Sequence, residues 1–246
     1  MKRYLQILFS ASILIFTSCE DKENSNKREP ENQTESTVTT PEPAKTKQAP
    51  NNQKKEDQWV NIDGPLITQE ELIPFLTEYG KENPEDRVRI ITRFGDIEVL
   101  LYKDTPLHRA NFIYLVKLGY FDNTFFHRVA QNFVVQGGNS DNTDTPRKRT
   151  KIGSYLIPSE FEAGHRHTRG AFSAAKYAEQ NVSKASSPYE FFIVQSARGA
   201  HHLDNDHTVF GRITRGMEVV DEIAKQDVGE GEWPNLNIHI KMEIIE

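Results

Sequence analysis

From Glu20 to Gln58 the chain offers no aromatic residue and only Val38, Ala44 and Ala49 as apolar ones. A segment of that makeup cannot remove enough surface from water to offset the entropy of ordering it. Whatever folds must therefore be built after it, from about Trp59 to Glu246. The sole cysteine, Cys19, lies on the far side of the polar stretch. No intrachain disulfide can brace the fold, which depends instead on an apolar core. The formal net charge of −6 lacks the basic excess that nucleic-acid binding favours, and no nucleic-acid partner is expected.

Ahead of the polar stretch, Lys2 and Arg3 precede a mostly apolar run from Leu5 to Phe16, closed by Thr17, Ser18 and Cys19. This is the layout of a secretory signal peptide. A spanning helix needs about 20 apolar residues, so the run is short for one. Phe16-Thr17-Ser18-Cys19 resembles a bacterial lipobox, with Phe16 in place of the more usual Leu. The resemblance implies cleavage before Cys19 and acyl chains on the new terminus, and two or more chains give stable anchoring. Residues 1–18 are accordingly expected to be a lipoprotein signal peptide, and 19–58 a lipid-anchored disordered tether spanning on the order of 35 Å. The expected location is a bacterial cell envelope, membrane-attached and facing the periplasm or the cell surface.

Residues 59–86 read as a helical extension. Thr68 and Glu71 suit a capping box opening a helix through Leu72, Phe75 and Leu76 to Gly80, ended by Asn83-Pro84. From Arg87 the pattern becomes β-rich. Val88–Ile91 and Ile97–Leu101 flank Phe94-Gly95-Asp96 as a hairpin. Pro106 suits a helix start with Thr105 as its cap, and Leu107, Ala110, Ile113, Leu115 and Leu118 supply a buried stripe up to Gly119. Strands are expected at Phe126–Val129, Phe133–Gln136, Ala171–Ala175, Phe191–Gln195, Thr208–Ile213 and Ile238–Ile245, with a second short helix at Met217–Ala224. Many short strands with two core helices predict a closed antiparallel barrel, which leaves no sheet edge exposed.

The informative motifs are Phe125-Phe126-His127-Arg128-Val129 and Phe133-Val134-Val135-Gln136-Gly137-Gly138. Downstream come Ala171-Phe172-Ser173-Ala174-Ala175, Phe191-Phe192-Ile193, and Leu203 through His207 leading to Val209-Phe210-Gly211. In this order and spacing they resemble the cyclophilins, from about Val88 to Ile245. The resemblance implies an eight-stranded β-barrel with two flanking helices over 87–246, and peptidyl-prolyl cis-trans isomerase activity on proline-containing polypeptides. Matched position by position, Arg128 is the catalytic arginine, and Phe133, Val134, Phe192 and Leu203 wall the proline pocket. Gln136 lies beside the arginine and His207 at the pocket rim. Ala175 and Lys176 border the substrate backbone, Lys176 replacing the usual Asn. His202 stands where many eukaryotic members carry Trp, which implies weak cyclosporin binding. Tyr189-Glu190 replaces the usual Ser-Gln, and a carboxylate at Glu190 near Arg128 would either hold the guanidinium or compete for its donors.

The chemistry explains these residue types independently. An amide rotates slowly, over a barrier of about 18–20 kcal/mol, because the nitrogen lone pair is delocalised. A guanidinium donates to that lone pair only as the bond twists, which is the condition for catalysis. No bond breaks, so no cofactor, metal or nucleophile is needed. His165-x-His167 and His201-His202 lack the partners of a zinc motif and read as loop residues. No G-x-S-x-G elbow or Walker loop is present. The competing reading is a proline-binding, chaperone-like module without turnover. Nothing advertises an interface, and a monomer is expected.

Overall fold

The computed structural model describes residues 62–177 and 183–246. The leader, Cys19, the tether and the expected start at Trp59 lie outside them.

The alternating apolar runs after Arg87 form eight strands: β1 (Arg87–Thr92), β2 (Gly95–Leu101), β3 (Thr124–Ala130), β4 (Val134–Asn139), β5 (Ala171–Ala174), β6 (Phe191–Val194), β7 (Val209–Arg215) and β8 (Ile238–Ile244). Every neighbouring pair is antiparallel, and the order β1-β2-β7-β5-β6-β4-β3-β8 closes on itself as a barrel. The first hairpin turns one residue earlier than expected. Thr92 pairs with Gly95, leaving Arg93 and Phe94 as the two-residue loop.

Side-chain alternation divides the apolar residues into two cores. Val135, Phe172, Phe191 and Ile193 belong to the main core inside the barrel. Their neighbours Val134, Ala171, Phe192 and Val194 belong to a smaller cluster on the other face of the same wall. Strand β3 would break this pattern but for a bulge, because Phe126 pairs with Gly137 while Arg128 pairs with Gln136. The extra residue, His127, reverses the parity. Phe126 and Val129 thus both reach the main core, and Ala130 joins the outer cluster. Without the bulge, Arg128 would share the face of Phe126.

The two glycines that follow are dictated by packing. A Cβ on Gly137 would lie 2.9 Å from both Ile240 and Phe191, and one on Gly138, whose φ is +98°, would lie 2.2 Å from the Tyr189 carbonyl oxygen. Any side chain there would separate β4 from the strands around it.

Four α-helices occur among the described residues: α1 (Leu72–Glu82), α2 (Pro106–Lys117), α3 (Asp144–Ile152) and α4 (Met217–Ala224). Only half of the expected capping box forms: the Glu71 amide donates to the Thr68 hydroxyl at 3.3 Å, while that hydroxyl, rather than the Thr68 amide, donates to the Glu71 carboxylate at 3.0 Å. Helix α1 starts at Leu72 and runs past Gly80 to Glu82. Helix α2 is buried on all sides, from His108 to Val116. Its Phe112 meets the rings of Phe172, Phe191 and Phe210 in the barrel, while Tyr114 on its outer face meets Phe75 and Tyr79 of α1. Most of the polar groups that this sandwich buries find partners, the Arg109 Nε being an exception. Arg109 donates to the carbonyls of Gly80, Asn83 and Glu85, and His108 lies between Glu160 and Ser186.

Two expectations are corrected. Thr105 does not cap α2, since its hydroxyl turns back to Tyr102. The free amides of Leu107 and His108 donate instead to the Glu160 carboxylate, each at 3.0 Å, a charge-complementary cap from a distant loop. The barrel also carries α3, which the sequence reading omits. Its sequence has no apolar stripe, and only Thr145 and Ile152 are buried. Polar anchors hold it. Asn142 accepts from the amides of Asp144 and Thr145, and Lys148 donates to the carbonyls of Gly119, Tyr120 and Asp122.

Candidate active site

On the outer face of the wall formed by β3, β4, β5 and β6 lies a hollow of about 250 Å³, lined by Arg128, Phe133, Val134, Gln136, Ala175, Lys176, Phe192, Leu203 and His207. Its floor is the outer apolar cluster that strand alternation creates. Phe133 stands at the foot of β4, its carbonyl accepting from the amides of Gln195 and Ser196. The Arg128 guanidinium carbon is 5.8 Å from the centre of the Phe133 ring. His202 is exposed and outside the lining, its ring stacked on Phe133 at 5.3 Å, so it extends the aromatic wall outward.

The opposite rim, Leu203 to His207, is tied down by Asp204. This carboxylate accepts from the His167 amide, lies 2.9 Å from His167 Nδ1, and binds Arg166 and His201. Burial alone would raise its pKa, but these donors hold it well below the usual carboxylate range. His167 is a loop residue, as expected, yet fully buried, and its Nε2 reaches Ser173 Oγ at 3.0 Å. Aspartate, histidine and serine thus stand in hydrolase order, but Ser173 is wholly inaccessible and donates to the Thr208 carbonyl. Nothing from solvent reaches it, so its role is to fix the rim. Lys176 is folded inward, its ammonium bonded to the Asp206 carbonyl and carboxylate. Burial and the Lys176 charge together push the His207 imidazole down to about 4, so an uncharged ring faces the hollow at neutral pH.

Glu190 departs most from expectation. It neither holds nor competes for Arg128 and lies outside the lining of the hollow. Its carboxylate accepts from Arg149 of α3 at 3.1 Å and from the Gln136 amide at 3.1 Å, and lies 3.5 Å from His127. Burial works against its charge, but His127 and Arg149 outweigh that and keep its pKa below the ordinary value. The same Arg149 lies 5.1 Å over the Tyr189 ring and donates to the Tyr120 hydroxyl. Tyr189 in turn donates to the carbonyls of Gly153 and Arg149. The Tyr189-Glu190 substitution and helix α3 are therefore one structural unit, the pair being the socket into which α3 plugs. Arg128 finds a different carboxylate, with Nε donating to Glu232 Oε2 at 2.7 Å. Sequence reasoning missed both Arg149 and Glu232. Neither lies in a recognisable motif, though Gly229-Glu230-Gly231-Glu232 signals a turn.

Comparison with known proteins agrees with this geometry. The family model for cyclophilin type peptidyl-prolyl cis-trans isomerases matches residues 87–244. A peptidyl-prolyl cis-trans isomerase-like 2 of Rhizopus delemar is 36% identical over 165 residues, which cover 66% of this chain and 29% of that protein. Peptidyl-prolyl cis-trans isomerase CYP18-2 of Arabidopsis thaliana is 32% identical over 154 residues, covering 62% and 89% respectively. The chain therefore spans under a third of the first relative and most of the second. Among solved structures, a Cryptosporidium parvum cyclophilin type isomerase, crystallised in the presence of the dipeptide Ala-Pro, is 26% identical with a TM-score of 0.55. The alignment covers 65% of this chain and 99% of that one.

Proposed function

The chain belongs to the cyclophilin-type peptidyl-prolyl cis-trans isomerase family, and from that premise we propose that it accelerates X-Pro rotation in exported polypeptides, with Arg128 as the catalytic group. One observation carries the reading: a guanidinium stands at the edge of a hollow that is floored by apolar side chains and large enough for a pyrrolidine ring. Spontaneous X-Pro exchange takes tens to hundreds of seconds. The rings of Phe133 and Phe192, with Val134 and Leu203, hold the proline while the preceding residue swings. Arg128 donates to the prolyl nitrogen as its lone pair localises, in surroundings with less water than bulk solvent. Removing about 7–8 kcal/mol from the barrier would give on the order of 10⁵- to 10⁶-fold acceleration. A peptide isomerisation assay on the purified protein tests this. Peptide binding without acceleration would make it a proline-binding module instead.

The neutral His207 gives a second check. An imidazole titrating at about 4 takes up its proton only as pH falls through that value, whereas an ordinary histidine does so near about 6.5. The expected kcat/KM profile is flat from about pH 6 to pH 8. An inflection near neutrality that disappears in His207→Gln would contradict that picture of the rim.

Cys19 supports placement at a membrane, through the lipobox it closes, with clients met outside the cytoplasm, where proline isomerisation limits folding. Cys19→Ser is expected to abolish fatty-acid labelling and release the protein from the membrane fraction. Undiminished labelling would refute lipid attachment at this residue.

A further inference from the structure

We infer that Glu232 is a positioning residue for Arg128, setting the direction in which the guanidinium donates; this rests on the reading of Arg128 as the catalytic group. The residue opposite Arg128 in the β3–β4 register is Gln136, whose side chain is turned toward Glu190, with Nε2 donating to that carboxylate. Among the described residues, the hydrogen bond that Arg128 makes is to Glu232, through Nε. A carboxylate on Nε fixes the plane of the fork and leaves the two terminal nitrogens for the substrate.

The loop that delivers Glu232 is built for the purpose. Gly231 and Glu232 both adopt left-handed backbone, with φ of +67° and +62°, and Glu232 does so with a side chain longer than the Asn that most often tolerates it. The loop is clamped on both sides. Val228 bridges Pro234, the Gly229 amide donates to the Trp233 carbonyl, and Trp233 Nε1 donates to Asn237. The Trp233 ring packs against Phe125 and His127 at the base of β3. The Arg128 and Glu232 side chains remain 36% and 45% exposed. Ion pairs so open to water add little to folding stability. A strained, clamped loop ending in such a pair is better explained by orientation than by stability.

The test is steady-state isomerisation of an Ala-Pro peptide by wild type, Glu232→Gln, Glu232→Asp, Glu230→Gln and Arg128→Ala, with a thermal melt of each. Glu232→Gln is expected to lower kcat about tenfold with KM within about twofold, because misdirected donors weaken transition-state contact more than ground-state binding. Its melt should match wild type, Glu232→Asp should recover part of the rate, and Glu230→Gln, a charge change in the same loop, should behave as wild type. A Glu232→Gln rate equal to or above wild type overturns the inference, as does an equal loss in Glu230→Gln. If Arg128→Ala is slow while Glu232→Gln is not, only the positioning role falls. If Arg128→Ala keeps the wild-type rate, the catalytic reading falls and this inference falls with it.

Discussion

Arg128→Ala is expected to reduce kcat/KM for an X-Pro peptide by about 10²- to 10³-fold, the usual cost of deleting a preorganised donor to a transition state. The hollow survives the change, since Phe133, Val134, Phe192 and Leu203 are held by strands and rim rather than by the arginine. Peptide affinity should therefore fall much less than turnover. Folding stability should shift by less than about 1 kcal/mol, because the lost pair with Glu232 is solvent-exposed. Arg128→Lys should recover little, since an ammonium cannot reproduce a fork held at one nitrogen while donating from the others. Isomerisation kinetics, peptide titration and urea unfolding read the three quantities separately. An alanine variant within about threefold of wild type would remove Arg128 from the chemistry.

Arg149→Met should produce the largest loss of stability, about 3 kcal/mol. The substitution keeps much of the side-chain volume but strands the Glu190 carboxylate, only 11% exposed, beside Gln136 and His127. Glu190→Gln in the same background should restore part of the loss by removing the stranded charge. The pH dependence has a definite sign. Glu190 has a folded pKa below its ordinary value, so its contribution is present above about pH 4.5 and is lost as pH falls through the folded value. The gap between wild type and Arg149→Met should be widest near neutrality and narrow in acid. Urea unfolding at several pH values measures it, and a constant gap would show that Arg149 acts by packing alone.

The barrel was legible because its determinants are local. Period-two apolar runs, Pro106 at a helix start and the FHRV and QGG blocks all announce themselves within a few residues. The lining of the hollow was legible for the same reason, since those blocks carry Arg128, Phe133, Val134 and Gln136. What escaped was held together across long sequence separations by charge. Helix α3 has no apolar stripe, so periodicity could not find it, and its anchors, Asn142 and Lys148, find their meaning only beside distant carbonyls and amides. The family pattern predicts Glu190 as a neighbour of Arg128. The bulge at His127 turns Arg128 outward, and Arg149 claims the carboxylate. The cap on α2 comes from Glu160, more than fifty residues from the amides it serves, and no short window could have revealed it.

The sandwiching of α2 between barrel and α1 bears on where this protein can be cut. A fragment begun at Arg87 would keep every side chain of the hollow, yet it would strip Phe75 and Tyr79 from Tyr114 and take away the Gly80, Asn83 and Glu85 carbonyls that accept from Arg109. It would also uncover the 152–156 segment, where the Ile67 amide donates to the Ile152 carbonyl and the Gln69 amide group pairs with both backbone groups of Leu156. Kinship begins at Arg87, but self-sufficiency begins upstream of Ile67.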